Sequence, residues 1–390
     1  MKNTVFSFII LLVLTLFSSE AFSIPAFARK YNMTCKTCHS PFPKLKPYGE
    51  DFAANGFALK DKDAPRFYVP TGDDRLNLIR NLPLAFRLEA YTTYNQDDTK
   101  RLDFTGPIVF KLLSGGTITK DVSYYVYYIL EKGEPGKIED AFLYFNNLFG
   151  SELDFSIGQF QVSDPLFKRE LRLTQEDYMI YKARPGFSSV DLTYDRGVLF
   201  AYGTPGGTDL VLEVINGSGI GETFLGGTFD KDKYKNFFGR ISQDIVEQFR
   251  IGTFGYYGKE MVENPVSKFT TTNELWMIGG DATISLEPIE VNLQYVTRTD
   301  NNPFALVTAA DIKTRGGFAE LILRPDGDNS DWYGVATYNY IDSDDNSQDL
   351  KSGALHLGYL LRRNIRIVGE LNYNFDIKFA RVGLGIITAF

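Results

Sequence analysis

From about residue 82 to the end of the chain, apolar and polar positions alternate with a period of two rather than 3.6. Ile289, Val291, Leu293 and Tyr295 alternate with Glu290, Asn292 and Gln294, and Ile365, Ile367, Gly369, Leu371 and Tyr373 with Arg366, Val368, Glu370 and Asn372. Segments of about ten residues with one apolar and one polar face are what a strand needs to line a lumen on one side and meet lipid on the other. About sixteen such segments begin near 84, 105, 122, 138, 152, 196, 209, 236, 249, 272, 288, 313, 332, 353, 365 and 380. Their connections alternate in length. Short ones are expected around 114–116, 147–150, 204–207, 287–288 and 363–364, longer ones at 163–195, 217–235, 258–271, 299–312 and 342–352. Short periplasmic turns and long outer loops give that alternation, and it places the amino terminus on the periplasmic side. The expected fold is therefore all-β: a porin-like transmembrane barrel of about sixteen strands over residues 81–390. A soluble sandwich would show a polar outer face, whereas here each strand offers an apolar one.

The first 23 residues read differently. Lys2 is followed by the apolar run Val5–Phe17 and then by small residues that permit cleavage after Ala21 or Ser23, the layout of an export signal. Thirteen residues are too few for a spanning helix, which needs about 20. The expected layout is thus a cleaved signal at 1–23, a small module and linker at 24–80, and the barrel beyond. The chain of 390 residues is 44% hydrophobic, which excludes a disordered polymer, and its net charge of −8 argues against nucleic acid as a partner. The charge is uneven: residues 24–60 carry +4 and the remainder −12. Within the barrel, Tyr124, Tyr125, Tyr127 and Tyr128 are expected in an aromatic girdle. Phe390 closes the last strand on its apolar face and resembles the sorting signal of bacterial outer-membrane proteins.

Both cysteines of the chain and one of its two histidines fall in Cys35-Lys36-Thr37-Cys38-His39. Cys-x-x-Cys-His is the attachment pattern of a c-type haem. Two thiols at that spacing add across the two vinyl groups of one porphyrin, and the next residue reaches the iron as proximal ligand. A redox disulfide needs no adjacent histidine, and a zinc site wants four ligands where only four Cys and His exist, the last at His356. The expected cofactor is one covalent haem c. Pro41 and Pro43 are expected to open a helix bearing Leu45, Tyr48 and Phe52, stopped by Gly56 after Asn55. So small a module cannot enclose a porphyrin by itself, and entry into the lumen as a plug would supply the cover. For the distal iron position, His356 and Met277 both lie in the lumen-facing register; the position is otherwise open or held by a residue outside this pair.

The segment Pro25-Ala26-Phe27-Ala28-Arg29, with Cys35-x-x-Cys38-His39, Phe42-Pro43-x-Leu45, Tyr48-Gly49 and Asn55-Gly56-Phe57, resembles the amino-terminal part of outer-membrane monohaem cytochrome–porin fusions, a family that includes iron-oxidising cytochromes. The barrel is similar to that family only in architecture, and more loosely to phosphate-selective porins. The resemblance implies one haem on Cys35, Cys38 and His39 and electron transfer across the bacterial outer membrane. The partners it implies are outer-membrane lipid, a periplasmic electron carrier such as a soluble cytochrome, and an extracellular donor such as Fe(II), or another external donor or acceptor. Such a protein is an oxidoreductase only if the metal oxidation is counted. Two other functions stay open: a transport porin with a haem plug or gate, and an electron exporter to external acceptors. Asp342, Asp344, Asp345 and Asp349, with Asp97 and Asp98, form acidic outer loops that could gather a hard cation. The 163–195 connection is long enough to fold inward and narrow the pore.

Overall fold

The computed structural model describes residues 26–59, 68–69, 71–80, 82–96, 101–131, 133–221 and 226–390. The export signal read at 1–23 and the acidic pair Asp97–Asp98 lie outside the described residues. Three short helices come first: α1 (Ala26–Tyr31), α2 (Cys35–Cys38) and α3 (Pro47–Ala54). A two-residue ladder follows, β1 (Tyr68–Val69) with β2 (Leu78–Ile79).

The remaining strands are β3 (Leu84–Asn95), β4 (Leu102–Thr119), β5 (Val122–Glu131), β6 (Lys137–Phe145), β7 (Leu153–Gln161), β8 (Tyr194–Gly203), β9 (Thr208–Ile215) and β10 (Asn236–Val246). They continue as β11 (Phe249–Glu263), β12 (Thr270–Leu286), β13 (Ile289–Asp300), β14 (Ile312–Leu323), β15 (Trp332–Ser343), β16 (Leu350–Arg362), β17 (Ile365–Asn374) and β18 (Phe379–Ala389). Each is antiparallel to its sequence neighbour, and β18 returns to β3 to close a sixteen-stranded barrel. Beyond the ladder, Phe86 and Phe390 exchange both backbone hydrogen bonds, at 2.7 and 2.9 Å, and stack their rings at 5.6 Å.

The alternation has a physical basis in the two solvents the wall separates. On β17, Arg366, Val368, Glu370 and Asn372 point inward and are buried, while Ile367 and Leu371 point outward and are exposed. Leu355, Leu357, Leu384 and Ile386 stand at least half exposed on the outer wall. A closed cylinder leaves no unpaired strand edge, and an apolar outer wall is stable only against lipid. The polar residues are the buried ones because the lumen is filled. The connection 162–193 folds inside, as its length suggested: the Tyr178 hydroxyl donates to Glu320 at 3.1 Å, the Tyr181 hydroxyl to Gln294 at 3.0 Å, and Arg298 donates to the carbonyls of Ala183 and Val190 at 2.9 and 2.7 Å.

Three expectations are corrected. Residues 114–116 do not form a turn but lie within β4, whose hairpin falls at Lys120–Asp121. A Cβ on Gly115 would stand 2.9 Å from the Tyr125 ring and 3.3 Å from Phe27, so this glycine makes room for packed rings. The outer connections are shorter than read, 264–269, 301–311 and 344–349, because strand pairing continues past the apolar band. The tyrosine run is split by the same period of two: Tyr125 and Tyr127 are buried inside, and only Tyr124 and Tyr128 take the outward register.

Candidate functional site

Helix α2 is a single turn, so Cys35 and Cys38, three residues apart, lie on one face of it. His39 leaves the helix in extended conformation while its N–H still donates to the Cys35 carbonyl at 2.9 Å. The chain then folds back: His39 bridges Leu45, Ser40 N–H donates to the Lys44 carbonyl at 3.1 Å, and Lys46 N–H to the Cys38 carbonyl at 2.8 Å. The following helix therefore starts at Pro47, not at Pro41 or Pro43; a proline at the first helical position gives up no hydrogen bond. Leu45 is not on it, Tyr48 is exposed, and Phe52 alone of the three expected apolar residues packs inward. Asn55 caps the helix and Gly56, at φ 62°, ends it as the spacing indicated.

This basic segment is held against the inner wall at the short-turn end of the acidic barrel. Lys44 pairs with Glu290 of β13 at 2.6 Å, Lys46 pairs with Asp328, Lys36 donates to Asn329 at 2.8 Å, and Arg324 donates to the Ser40 carbonyl at 3.2 Å. On the opposite side Asn146 donates to the Asn55 carbonyl at 3.0 Å. Phe27 stacks on Phe57 at 5.0 Å, and Phe57 stacks in turn on Tyr125 of β5 at 5.1 Å. Opposite charges and an aromatic stack thus make the contacts between this segment and the strands.

His39 Nδ1 lies 2.8 Å from the Pro43 carbonyl. A carbonyl only accepts, so the proton sits on Nδ1 and the Nε2 lone pair is left for another partner. Burial pushes the imidazole down to about 4 against smaller upward contributions from backbone contacts at Pro43 and Lys44, so the ring is neutral near pH 7. The Cys35 and Cys38 thiols are free and half-buried, and burial raises both above the ordinary thiol range. Cys35, His39, Phe42, Arg324, Tyr333 and Arg363 are among the residues lining one recess, partly open to solvent, with about 360 Å³ of empty space. A neutral histidine with one free nitrogen beside two protonated thiols and an open space is a donor set that can take a covalently tethered metalloporphyrin.

The two distal candidates end up in different places. His356 is buried in the lumen register of β16, with Nδ1 2.8 Å from Glu370 and Nε2 3.4 Å from the Tyr333 hydroxyl, and its ring stacks on Tyr333 at 5.6 Å. Tyr333 lines the cavity and His356 stands behind it. Glu370 also accepts the backbone N–H groups of Gln175 and Glu176, at 2.8 and 3.1 Å, which ties His356 to the inward-folded connection. Met277 faces inward as its register required, but it lines a separate cavity of about 230 Å³ with Ile180, Leu192, Val296 and Arg298. The structure thus gathers Cys35, Cys38 and His39 and brings neither His356 nor Met277 into the cavity beside them.

The acidic loop is accounted for locally. Asp342 pairs with Arg315 at 3.1 Å, Asp344 accepts from Lys313 N–H at 2.9 Å, Asp345 from Gly186 N–H at 2.8 Å, and Asp349 from Ser343 N–H at 2.8 Å. Among the described residues no cluster of three or more His, Cys, Asp or Glu is arranged to hold a metal ion. Sequence reasoning placed Glu290 and Arg366 on the polar face without assigning them to the site, and it assigned no role there to Lys44, Arg324 or Tyr333. All but Lys44 fall at or beside lumen-facing strand positions, but only the pairing of distant strands reveals which of them meet the cysteine segment.

No protein-family profile matches the chain, and no curated protein matches it. Solved structures do. An anion-selective porin from Comamonas acidovorans superposes with a TM-score of 0.56 at 11% identity, over 80% of this chain and 99% of that one. The outer-membrane channel DcaP of Acinetobacter baumannii gives 0.55 at 13% identity, over 80% and 97%. A loop-deletion mutant of OmpT, an outer-membrane protein of Vibrio cholerae, gives 0.54 at 12% identity, over 80% and 99%. At these identities the likeness is one of fold. With the closed cylinder and its lipid-facing wall, it places the chain as a porin-like barrel of the bacterial outer membrane.

Proposed function

We propose that this protein is an outer-membrane electron-transfer cytochrome in which residues 26–57 carry one haem c and plug the short-turn mouth of the barrel. The observation that carries the reading is the Cys35–Cys38–His39 turn facing a cavity at that mouth, with His39 Nδ1 engaged and Nε2 free. Cys35 and Cys38 would hold the group by thioether bonds, each thiol S–H adding across one vinyl group, and His39 would offer Nε2 to its iron. The Pro43 carbonyl fixes the imidazole's tautomer and orientation. Lys44, Lys46 and the Phe57–Tyr125 stack hold the turn inside the wall, which excludes water from one side of it. The cofactor supplies one-electron redox chemistry when bound. A carrier at the periplasm would be out of reach of an external donor across a hydrocarbon layer about 30 Å thick; a site within the barrel shortens that gap. The substrate on the outer side is then an extracellular donor such as Fe(II), and the partner on the inner side a soluble periplasmic cytochrome.

The test is retention of haem on the denatured chain. Protein isolated from outer membranes is expected to give a haem-stained band on a denaturing gel and a Soret band. Cys35→Ala with Cys38→Ala should remove the stain while the barrel still runs as a folded, heat-modifiable species. Unstained native protein would overturn the proposal.

A second reading is favoured by the porin fold and the inward connection 162–193: a solute channel gated by the amino-terminal segment. In planar bilayers the electron-transfer reading expects almost no current from the whole protein. A steady open-channel current would support the channel.

A further inference from the structure

Arg366 of β17 is about 1% exposed, among the largest fully buried side chains of the described residues. Its Nη1 donates to the Tyr333 hydroxyl at 2.7 Å, and its guanidinium lies 5.7 Å from the Phe42 ring centroid and 6.0 Å from that of Tyr333. Its Nε and Nη2 are sealed from solvent and have no hydrogen-bond partner among the described residues. Arg298 pairs with Asp300 at 2.6 Å and Arg240 with Asp281 at 2.6 Å, and where other arginines keep one unpartnered buried nitrogen, Arg366 alone among the described residues keeps two. Two lumen carboxylates are paired with other residues, Glu370 with His356 at 2.8 Å and Glu89 with Arg87 at 2.6 Å. A buried guanidinium with two of its nitrogens left unpaired is costly enough that proteins rarely keep one. Phe42 and Tyr333, the two rings Arg366 lies against, both line the cavity shared with Cys35 and His39, and Arg366 stands behind them, one side chain away from it. Phe42 also meets His39 edge-on at 4.8 Å.

We infer that Arg366 is the seat of a carboxylate: its free Nε and Nη2 receive a ligand oxygen presented from the cavity beside His39. Guanidinium is suited to this because its planar donors match a carboxylate in bidentate fashion. The source of the carboxylate the inference commits to is a propionate of the porphyrin tethered at Cys35 and Cys38, and to that extent it rests on the function proposed above. A free small carboxylate from solution is the same chemistry from a second source.

The experiment compares Arg366→Gln in two backgrounds, the whole haem-bearing chain and the chain carrying Cys35→Ala with Cys38→Ala. In the haem-bearing chain, loss of the cation should disfavour the reduced state about tenfold or more, a fall in midpoint potential of about 59 mV for one electron. Arg366→Lys, which keeps the charge but not the fork, should fall between wild type and Arg366→Gln. In the cysteine-free chain, Arg366→Gln should leave the melting temperature unchanged or raise it, since a buried guanidinium with two unpaired nitrogens has been removed. Acetate should raise the melting temperature of the cysteine-free chain, and Arg366→Gln should abolish that rise. Acetate protection in the cysteine-free chain with no change of potential in the haem-bearing one would assign the seat to a free carboxylate. A native chain without a Soret band would defeat the function proposed above yet leave the acetate arm standing. The inference is overturned if Arg366→Gln destabilises both backgrounds equally, leaves the potential unchanged and shows no acetate effect, which is how a residue serving only to hold Tyr333 would behave.

Discussion

Replacing Glu290 by Gln removes the counter-charge of Lys44 while preserving the shape of the wall. The Lys44 amine stands 2.6 Å from Glu290 Oε1, with the lysine side chain about a fifth exposed and the glutamate nearly sealed. Burial works against the Lys44 charge, and Glu290, its hydrogen-bonded partner, together with Glu50 and Glu320 outweighs it, so the amine stays above its ordinary range. Breaking a buried pair on one side costs about 3–5 kcal/mol; because water still reaches part of Lys44, about 2–3 kcal/mol is the appropriate range here. Gln keeps an acceptor for the Asn292 amide that now bonds Glu290 at 3.1 Å, and Glu290 sits in a strand paired on both sides, so the barrel itself should survive. The loss falls on the docking of residues 40–57. Local opening of that segment should rise roughly 30- to 150-fold, read as faster amide hydrogen exchange there and nowhere in the strands. Lys44→Met added to Glu290→Gln should restore most of the protection, because an absent pair is nearly neutral where a broken one is not. Exchange altered less than about threefold by Glu290→Gln, under roughly 0.7 kcal/mol, would refute the claim that this ion pair holds the segment in the lumen.

Three further outcomes follow from the same structure. Leu357 is exposed on the outer face of β16, so Leu357→Arg should destabilise the barrel by about 2–4 kcal/mol in a lipid-vesicle urea titration. Burial pushes the Asp328 carboxyl up, but Lys46, Ser40 and Arg324 outweigh it and hold it below its usual range. Its contribution to docking is therefore present above the ordinary carboxylate range and lost as pH falls through the lowered value. Pepsin cleavage within residues 44–58 should increase between about pH 5 and pH 2, and Asp328→Asn should raise cleavage at the upper end and flatten that rise. Deleting Phe390 removes two backbone hydrogen bonds and a ring stack at the barrel seam, and should lower the heat-modifiable folded fraction in membranes.

The barrel was legible because lipid and lumen impose opposite demands on adjacent residues. Every barrel strand begins within three residues of its expected start, and the inward register of His356 and Met277 follows from the same alternation. The limits are equally physical. Gly115 reads as a turn residue in isolation, yet it is small because Tyr125 and Phe27 crowd it. The proline pair ahead of α3 resembles a helix start, but backbone pairing of residues 39–45 delays the helix to Pro47. The cysteine–histidine turn is local chemistry and could be read directly. Arg366 meets Phe42 and Tyr333 only because β15, β16 and β17 lie side by side, and no linear pattern shows that a buried arginine keeps two nitrogens unpaired.

The most direct measurement is electron transfer in sealed proteoliposomes holding oxidised soluble cytochrome c inside and receiving Fe(II) outside. The account predicts reduction of the enclosed cytochrome at a rate proportional to the inserted protein, and no reduction with the Cys35→Ala/Cys38→Ala chain. An enclosed cytochrome that stays oxidised beside intact wild-type barrels, or that is reduced equally well by the cysteine-free chain, would contradict it.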